Sequence, residues 1–339
     1  MAKKLVLLSL TLTIVVVVVI YTTKNASKYE GEIIHASMGV PKEPLSALVI
    51  IAHKVGLFKD YGVNIAIKSY KGGKQALVNG LFANKVDLAI TADVPITFGV
   101  FKGRDFRVIA TLASSDNEPR IVARKDTGIK NPADLKDKKI VTKSASAVHF
   151  FLDTFLVHSR LSSSNIDLTF KQSGSEMIKL LASGKVDAIS HREPFTSLAK
   201  EALGSNVVVF AKPGIYLKTF NLVINPAIQS KKPLLAKRIL KALIAAKAYS
   251  EKYPARSIKY VADYIGLNPL SIQDSWRTMS LNVTLNHVLL VTLETQARWA
   301  IKSKLVSSKV MPSFLKSIDT GPLKAVNPDA VDIIEISAN

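Results

Sequence analysis

The chain has 339 residues, 48% of them apolar, and is long enough for two domains of ordinary size. It contains no cysteine, which excludes disulfide bonds, cysteine-ligated metals, a thiol nucleophile and a lipoprotein anchor. The net charge is +20, but the lysines are spread almost evenly along the chain and aromatic residues make up 7% of it. Nucleic-acid-binding proteins instead concentrate basic residues on one face with aromatics between them, so no nucleic-acid partner is expected.

The N-terminus carries an uncharged run of 17 residues, from Leu5 to Tyr21, behind Lys3 and Lys4. This length exceeds the usual core of a secretory signal, about 7–15 residues, and lies at the short limit for a spanning helix, about 17–25 residues. No clean small-x-small cleavage site comes after it. Residues 1–29 are therefore predicted to be an uncleaved membrane anchor or, as the alternative, a cleaved signal. Either way the remaining chain is expected in the periplasm or at the outer face of the cytoplasmic membrane, because the lysines favour the cytoplasmic side.

From residue 31 onward, strand patterns alternate with helix patterns, which predicts crossover units, mostly parallel sheets and an α/β fold. The predicted strands span residues 32–39, 61–70, 86–92, 106–114, 119–126, 166–172, 186–190 and 206–212. The predicted helices span residues 44–58, 72–85, 146–160 and 173–185. Residues 129–143 are predicted to form a helix and then a strand, with Asn131 as the N-cap. Beyond Asn225 the segments have helical period, which predicts an all-helical C-terminal part.

Two stretches 100 positions apart nearly repeat each other: ANKVDLAITADVP at residues 83–95 and SGKVDAISHREPF at residues 183–195. Apolar residues before each stretch also align, and they are predicted to lie on a helical face that packs on a sheet: Leu77, Val78 and Leu81 with Met177, Ile178 and Leu181. The spacing is far longer than that of solenoid repeats, about 20–50 residues. The repetition therefore predicts two similar lobes, with chance as the alternative because such helix–strand junctions are common.

Five segments occur in a fixed order: SALVIIAHKVGLFKDYGVNIAI, GGKQALVNGLFANKVDLAITADVP, IKNPADLKDKKIV, SGKVDAISHREPF and LLVTLETQARWAIKSKL. In this order they resemble the nitrate/sulfonate/taurine-type solute-binding proteins of ABC importers, a broad group that includes thiamine-pyrimidine-precursor binding proteins. The resemblance covers nearly all of residues 31–320. It implies the type II periplasmic-binding fold, in which two α/β lobes joined by two crossover segments enclose a ligand cleft.

The repetition and the resemblance together predict how the chain divides into lobes. A discontinuous first lobe is expected from residues 31–118 plus 218–339, and a second lobe from residues 119–217. The crossover segments are expected near residues 117–119 and 214–218. The two KVD triplets would then be equivalent junctions, and the residues after each strand would face each other across the cleft.

Candidate ligand-binding residues lie where strands are predicted to end or lobes to meet, because ligands of open parallel sheets bind beyond the carboxyl ends of the strands. The candidates are Ser46, Asp93, Asn117, Ser144, Ser146, His149, His191, Arg192 and Glu193. The resemblance assigns hydroxyl and backbone amide contacts with the ligand to Ser144 and Ser146, and a role one helical turn later to His149. The two serines are equally suited to capping the next helix, which is compatible with ligand binding.

The charge expected of the ligand depends on the roles of Arg192, Asp93 and Glu193. Many relatives carry aromatic residues where this chain has His191 and Arg192, so the ligands of the family are not carried over. Arg192 is predicted to pair with Glu193 or Asp93, or to bind an anionic ligand in a bidentate fashion. Asp93 and Glu193 are predicted to cap helices or to order the cleft. A small anion is the expected ligand, and a cationic or zwitterionic ligand is the alternative.

The function predicted from these observations is non-catalytic: a monomeric solute-binding protein that delivers its ligand to an ABC permease in the cytoplasmic membrane. The alternative is a membrane-anchored ligand sensor that signals to a membrane partner. Enzymes of related fold use a cysteine-rich signature, which this chain lacks. The histidines have no metal-site spacing, and KGGKQ lacks the spacing and the hydroxyl of a phosphate-binding loop, so neither a metal nor a cofactor is expected.

Overall fold

The structure, a computed structural model, describes residues 29–333. The apolar N-terminal run predicted to be an anchor or a signal lies outside these residues. Within them, no helix is both long and apolar enough to cross a bilayer. Two sheets organise the described chain, one of six strands and one of five. We call the six-stranded sheet with its helices the first lobe and the five-stranded sheet with its helices the second lobe.

The strands alternate with helices along most of the chain. They are β1 (Ile34–Pro41), β2 (Val63–Tyr70), β3 (Leu88–Ala92), β4 (Arg107–Ser115), β5 (Arg120–Arg124), β6 (Lys139–Thr142), β7 (Asp167–Phe170), β8 (Ala188–His191), β9 (Val207–Phe210), β10 (Lys218–Ile224) and β11 (Met279–Thr284). The first sheet has the order β11-β4-β10-β3-β1-β2, and the second has the order β7-β6-β8-β5-β9. The chain passes from the first sheet to the second after β4 and returns before β10.

The helices cover the faces of both sheets. They are α1 (Ala47–Val55), α2 (Leu57–Asp60), α3 (Gly73–Gln75), α4 (Asp93–Phe101), α5 (Ala147–His158), α6 (Gly174–Ala182), α7 (Phe195–Leu203), α8 (Pro226–Lys231), α9 (Leu235–Lys252), α10 (Pro254–Ile265), α11 (Gln273–Thr278), α12 (His287–Lys302) and α13 (Gly321–Lys324). A π-helical segment, Ala76–Leu81, continues α3. The shorter 3-10 segments are Pro44–Ser46, Lys125–Thr127, Pro132–Leu135, Ser163–Asn165, Pro269–Ile272, Leu315–Ser317 and Pro328–Ala330.

The two sheets share one topology. Strands β2, β1, β3, β10 and β4 of the first sheet correspond in order and direction to β7, β6, β8, β5 and β9 of the second. In each set the first three strands are parallel and the last two run antiparallel to their neighbours. The strand after each passage between sheets, β5 or β10, occupies the same place in its lobe. The expectation of two similar lobes is therefore confirmed.

The KVD triplets are equivalent junctions, and their aspartates have the same task. One carboxylate oxygen of Asp87 accepts the backbone N–H of Ser37 on β1 at 2.8 Å. One carboxylate oxygen of Asp187 accepts the backbone N–H of Lys139 on β6, also at 2.8 Å. In the first lobe this bond links the start of β3 to its parallel neighbour β1, and in the second lobe it links the start of β8 to β6. The carboxylate thereby accepts an N–H of the neighbouring strand that the sheet leaves without a backbone acceptor. The repetition of the acid is a consequence of this geometry.

The residues before each triplet also match, with one exception. Asn84 and Gly184 both have a left-handed backbone, with φ of +53° and +73°, a conformation that suits Asn and Gly. Leu77 and Met177 are fully buried, as expected of a face that packs on a sheet. Val78 is instead 42% exposed, because the π-helical turn that carries it has a different period from the α-helix assumed for it. The prediction of burial was wrong at that residue.

The secondary structure differs from the prediction in the second half of the chain. Strands β10 and β11 were not predicted, and β11 contradicts an all-helical C-terminal part. It forms the edge of the first sheet against β4, with a register shift that weakens its period-2 pattern. Residues 129–143 contain a 3-10 turn rather than a full helix, although Asn131 caps it as predicted. The expected lobe boundaries, residues 31–118 plus 218–339 and residues 119–217, stay a prediction.

One C-terminal helix joins the two lobes. Leu289, Leu293 and Ala297 of α12 belong to the core of the first lobe. On the same helix, the indole N–H of Trp299 donates to a carboxylate oxygen of Asp153 on α5 of the second lobe, at 2.7 Å. The Trp299 ring also lies edge-on to Phe150, with 5.2 Å between ring centroids. Helix α12 therefore spans the boundary on the side where α4 and α5 meet.

Candidate functional site: a cleft between the lobes

A cleft of about 500 Å³ opens between the two lobes. With the exception of Lys218, which begins the antiparallel strand β10, its walls come from residues at or after the carboxyl ends of the parallel strands. The first lobe contributes Glu43, residues 71–75, Ala92, Pro95 and Lys218. The second lobe contributes Lys143, residues 146–148, residues 172–175, His191, Arg192 and Phe195. A ligand in this space would contact both lobes at once.

Two glycines let the segment after β2 lie close to strand β3 of its own lobe and to Arg192 of the opposite wall. A Cβ atom on Gly73 would lie 2.9 Å from the backbone nitrogen of Ala92, so no side chain fits there. A Cβ atom on Gly72 would lie 3.0 Å from the guanidinium of Arg192 and 3.2 Å from the carboxylate of Glu43. The pair of glycines therefore brings the start of α3 against the charged groups at the base of the cleft.

Four charged residues form a network at that base, of which Glu43, Glu118 and Lys218 are buried and Arg192 is half-buried. Glu43 accepts from the guanidinium of Arg192 at 2.8 Å and from the ammonium of Lys218 at 3.3 Å. Lys218 also binds Glu118 at 2.8 Å, so it joins the two segments that connect the lobes. The backbone N–H of Gly73 donates to Glu43 as well, at 3.0 Å. The ion pair of Arg192 with Glu43 crosses from one lobe to the other.

Burial and charge act in opposite directions on the two acids of this network. Burial opposes ionisation of Glu43, but the cations of Arg192 and Lys218 outweigh it and hold the pKa of Glu43 below its ordinary value. Burial dominates at Glu118 and raises the pKa of its carboxyl, although Lys218 opposes this. Glu43 is thus a carboxylate whose charge is already compensated within the protein.

Three further lysines of the cleft have no carboxylate partner in the described part of the chain: Lys71, Lys74 and Lys143. The ammonium of Lys74 donates across the cleft to the carbonyl oxygens of Ser144 at 3.3 Å and Ala145 at 3.2 Å. Burial, and after it the charges of neighbouring cations, lowers the pKa of both Lys74 and Lys143. The charge of Glu43 raises the pKa of Lys143, but by less than burial and Arg192 lower it, so the acid of the lining offsets the positive charge of the cleft only in part.

The N-terminus of α5 adds backbone donors. The first intrahelical bonds of α5 run from His149 and Phe150 to the carbonyl of Ser146, at 3.1 and 3.0 Å. The N–H groups of Ala147 and Val148 precede these bonds, and both residues line the cleft. The hydroxyl of Ser146 does not cap them, because it donates to the carbonyl of Lys143 at 2.5 Å. The start of α5 thus offers N–H groups and a positive dipole end to an anion.

Three of the sequence-predicted site residues line the cleft: Ser146, His191 and Arg192. His191 is buried, accepts the backbone N–H of Arg192 through Nδ1 at 2.9 Å and lies against Phe195. Burial, then the charge of Arg192, lowers the pKa of His191 to about 3, so its ring is neutral at physiological pH. The expected pairing of Arg192 with the side chain of Glu193 or Asp93 was wrong; Arg192 pairs with Glu43 instead and reaches only the carbonyl of Glu193, at 2.8 Å.

The two predicted acids lie outside the lining and order the backbone. Asp93 is fully buried and accepts from Val94 N–H at 2.7 Å, Tyr216 hydroxyl at 2.5 Å and Thr219 N–H at 2.9 Å. Burial raises the pKa of Asp93 despite these bonds. Glu193 accepts from the hydroxyl of Thr196 and from the backbone N–H of Ser197, the latter at 3.2 Å. Neither acid is the N-cap residue of the helix that follows it, since these residues are Ala92 and Pro194. That each acid caps a helix or orders the cleft, and that either contacts a ligand, stays a prediction.

The remaining predicted residues also lie outside the lining. Ser46 is buried and donates to the carbonyl of Pro41 at 3.0 Å. Asn117 lies on the segment between β4 and β5, and Ser144 meets the cleft only through the carbonyl that binds Lys74. His149 is buried beside Asp153 and Trp299, on the side of α5 turned toward α12. Their ligand contacts stay predictions.

Sequence reasoning missed most of the charged lining: Glu43, Lys71, Lys74, Lys143 and Lys218. A signal exists for four of them, since Glu43, Lys71, Lys74 and Lys143 come after β1, β2 and β6 at their carboxyl ends. The KGGK segment does not match a nucleotide-binding loop. Its position after a strand, rather than its motif, indicates that it lies at the cleft. Lys218 begins a strand that was not predicted, so nothing in the pattern placed it at the cleft.

Comparisons with known proteins agree with this architecture. The family model described as NMT1/THI5 like matches residues 43–257. A Bacillus subtilis (strain 168) protein whose name assigns it to aliphatic-sulfonate binding is 24% identical over 275 residues, which cover 79% of this chain and 82% of the relative.

Solved structures show the same fold. The alkanesulfonate-binding protein SsuA from Xanthomonas axonopodis pv. citri, bound to MOPS, superposes with a TM-score of 0.72 at 20% identity, covering 86% of this chain and 100% of that chain. The desulfurization enzyme DSZB superposes with a TM-score of 0.63 at 14% identity, covering 87% and 99%. The fold is therefore the two-lobed periplasmic-binding type, and it is shared by binding proteins and by an enzyme.

Proposed function

Because the chain belongs to the NMT1/THI5-like family, we propose that it is the solute-binding protein of an ABC uptake system. It captures a small anion between its lobes and delivers it to a permease in the cytoplasmic membrane. The observation that carries this proposal is the excess of cations in the cleft, where the one acid of the lining, Glu43, is already paired. The names of the sulfonate-binding relatives support it.

The anion is held by groups from the second lobe and enclosed by the first. Arg192 offers a planar donor at the end of β8, and Lys143 offers an ammonium at the end of β6. The N–H groups at the start of α5 complete the donor set. Lys74 belongs to the first lobe, and its ammonium donates to two carbonyl oxygens of the second lobe. A ligand that engages both walls stabilises the closed arrangement of the lobes, and its release accompanies opening.

The protein is expected to act as a monomer outside the cytoplasm, tethered or exported through its N-terminal apolar run. No step of catalysis is proposed, because no nucleophile with an adjacent base stands in the cleft lining. His191, the one histidine of the lining, is a weak base, because burial lowers its pKa to about 3, and its Nδ1 already accepts a backbone hydrogen bond, so it is a poor general base. A solute that enters the cleft is therefore expected to leave it chemically unchanged.

Calorimetry on the full-length protein tests the binding step, with ethanesulfonate, nitrate and ethyl phosphate as probes. Arg192→Ala is expected to weaken the bound probe by about tenfold or more, because hydrogen bonds to charged groups contribute about 1.5–3 kcal/mol. Arg256→Ala, on the exposed face of α10, is the control that removes an arginine outside the cleft. Equal loss in the two variants, or binding by none of the probes, would contradict an anion site in the cleft.

Uptake of the bound probe by intact cells tests the delivery step. Cells that lack this chain are expected to lose high-affinity uptake and to recover it with the wild-type chain but not with Arg192→Ala. Unchanged uptake in the deletion strain, with binding intact in the purified protein, would favour the ligand-sensing alternative. Recovery of a chemically altered probe after incubation with the protein would instead indicate an enzyme.

A further inference from the structure

An anion with a single negative charge would not neutralise the positive charge of the cleft lining. Glu43 and Glu118 compensate Arg192 and Lys218 within the buried network. Three cations then remain, and within the described chain none of them has a carboxylate partner: Lys71, Lys74 and Lys143. One charge on the ligand would leave two of these lysines without an opposing charge.

Two of these lysines, Lys74 and Lys143, also lie where neighbouring cations oppose their charges. Lys143 lowers the pKa of Lys74, and the charge of Arg192 lowers that of Lys143, each after the effect of burial. Lys143 and Lys74 are both half-buried, and Lys74 finds only neutral carbonyl partners. Cations held together in a partly desolvated cleft raise the free energy of the empty state, and the gain from an added negative charge grows with that charge.

We propose that the cleft prefers a dianionic head group, of the kind carried by a phosphate monoester, over a monoanionic sulfonate of the same size. This inference rests on the proposed function, since it names the class of anion that the same site takes. A phosphate monoester presents two negative charges and three acceptor oxygens. The donors available to them are the side chains of Lys143, Lys74 and Arg192 and the first N–H groups of α5. The cleft volume leaves room for a small organic group beyond the head group.

The other titratable groups of the lining offset this charge only in part, through the effect of Glu43 on Lys143. Glu43 is fixed by Arg192, Lys218 and the N–H of Gly73, and Glu118 lies behind it against Lys218. His191 adds no charge, because it is neutral and accepts a backbone N–H. Asp93 lies outside the lining and accepts four hydrogen bonds, from Val94, Tyr216 and, twice, Thr219.

The test compares ethyl phosphate with ethanesulfonate on the full-length protein by calorimetry, at about pH 5 and about pH 8. These values lie on either side of the second pKa of a phosphate monoester, about 6, whereas the sulfonate keeps one charge throughout. The ratio of the two affinities is expected to favour ethyl phosphate by about tenfold or more at the higher pH and to fall toward unity at the lower. Ethanesulfonate at both values measures any titration of the protein itself.

Lys143→Gln and Lys179→Gln form a matched pair of variants. Lys143→Gln is expected to reduce the preference for ethyl phosphate at the higher pH by about tenfold. Lys179→Gln, which removes an exposed lysine of α6 outside the lining, is expected to leave the ratio unchanged. Equal or tighter binding of ethanesulfonate at the higher pH, or a ratio that does not change with pH, overturns the dianion proposal and leaves the anion site standing. Binding of neither probe at either pH overturns both.

Discussion

The two KVD junctions have nearly the same sequence and the same fold, yet the residues at the ends of their strands differ. In the first lobe the strand β3 leads to Asp93, which is fully buried and accepts four hydrogen bonds. In the second lobe the strand β8 leads to His191 and Arg192, which line the cleft. Asp87 and Asp187 meanwhile make the same bond in both lobes. The residues that the two motifs share stabilise the fold of each lobe. The residues in which they differ determine which lobe contributes side chains to the cleft at this junction.

The largest contrast is expected between Asp93 and Arg192. Asp93→Asn should lower the free energy of unfolding by about 2–3 kcal/mol, because either orientation of the amide sets its NH₂ group against a buried N–H, that of Val94 or that of Thr219. Arg192→Ala should also cost about 3 kcal/mol or more, because it removes one partner of the buried pair with Glu43, but it alone should weaken a bound anion, by about tenfold or more. Urea unfolding measures the stability of both variants, and calorimetry measures their affinity for the anion. Loss of affinity in Asp93→Asn but not in Arg192→Ala would reverse the assignment of the two junctions.

The shared part of the motif is broken by Asp87→Ala and Asp187→Ala. Each variant should lose about 1–2 kcal/mol of unfolding free energy, because each leaves a strand N–H without its acceptor. Asp87→Ala should lose slightly more, since this acid also accepts the hydroxyl of Ser37 at 3.1 Å. Neither variant is expected to alter ligand affinity, which calorimetry checks. A loss of unfolding free energy in only one of the two variants would show that the two junctions are not equivalent.

Acid should destabilise the second junction through His191. Its folded-state pKa, about 3, lies below the value of about 6.5 expected in the unfolded chain. The stabilisation from the neutral ring is therefore complete above about pH 6.5 and is lost as the pH falls toward about 3. Between about pH 7.5 and about pH 5.5, the wild type should lose about 1 kcal/mol more than His191→Asn, since one pH unit corresponds to about 1.4 kcal/mol.

Urea unfolding at the two pH values measures this difference. Asn at residue 191 keeps an acceptor for the N–H of Arg192 without a group that titrates. His53 and His149, whose pKa values burial also lowers, are present in both proteins and cancel in the comparison. An equal acid dependence in wild type and variant would mean that the His191 ring accepts a proton in the folded state as easily as in the unfolded state.

The smallest effect is expected from exchanging residues between the junctions. Asn84→Gly and Gly184→Asn should each change the unfolding free energy by less than about 0.5 kcal/mol, because both residue types adopt positive φ at low cost. Asn84→Ala and Gly184→Ala are the matched controls and should each lose about 1 kcal/mol or more. Thermal melting of the four variants ranks them. An alanine as stable as asparagine at either place would contradict the left-handed conformation.

The fold could be predicted because the patterns that indicate it involve residues close together in the chain. Apolar periodicity and the repeated KVD triplet indicate helix–strand junctions, and Asn131 indicates a helical N-cap. Strand β11 could not be read in this way, since it is stabilised by its pairing with β4 and carries a register shift. The site was harder to predict, because the partner of Arg192 is Glu43, 149 positions away in the chain. Nothing in the neighbourhood of either residue encodes that pairing.

Helix α12 gives the protein a built-in optical signal. The chain has two tryptophans, and Trp276, on α11, packs against the core of the first lobe. Trp299 belongs to a helix of the first lobe but binds Asp153 of the second and stacks edge-on with Phe150. Separation of the lobes would break the indole hydrogen bond and admit water to the ring. The emission wavelength of Trp299, read in Trp276→Phe protein without any attached dye, therefore reports opening and closing in real time.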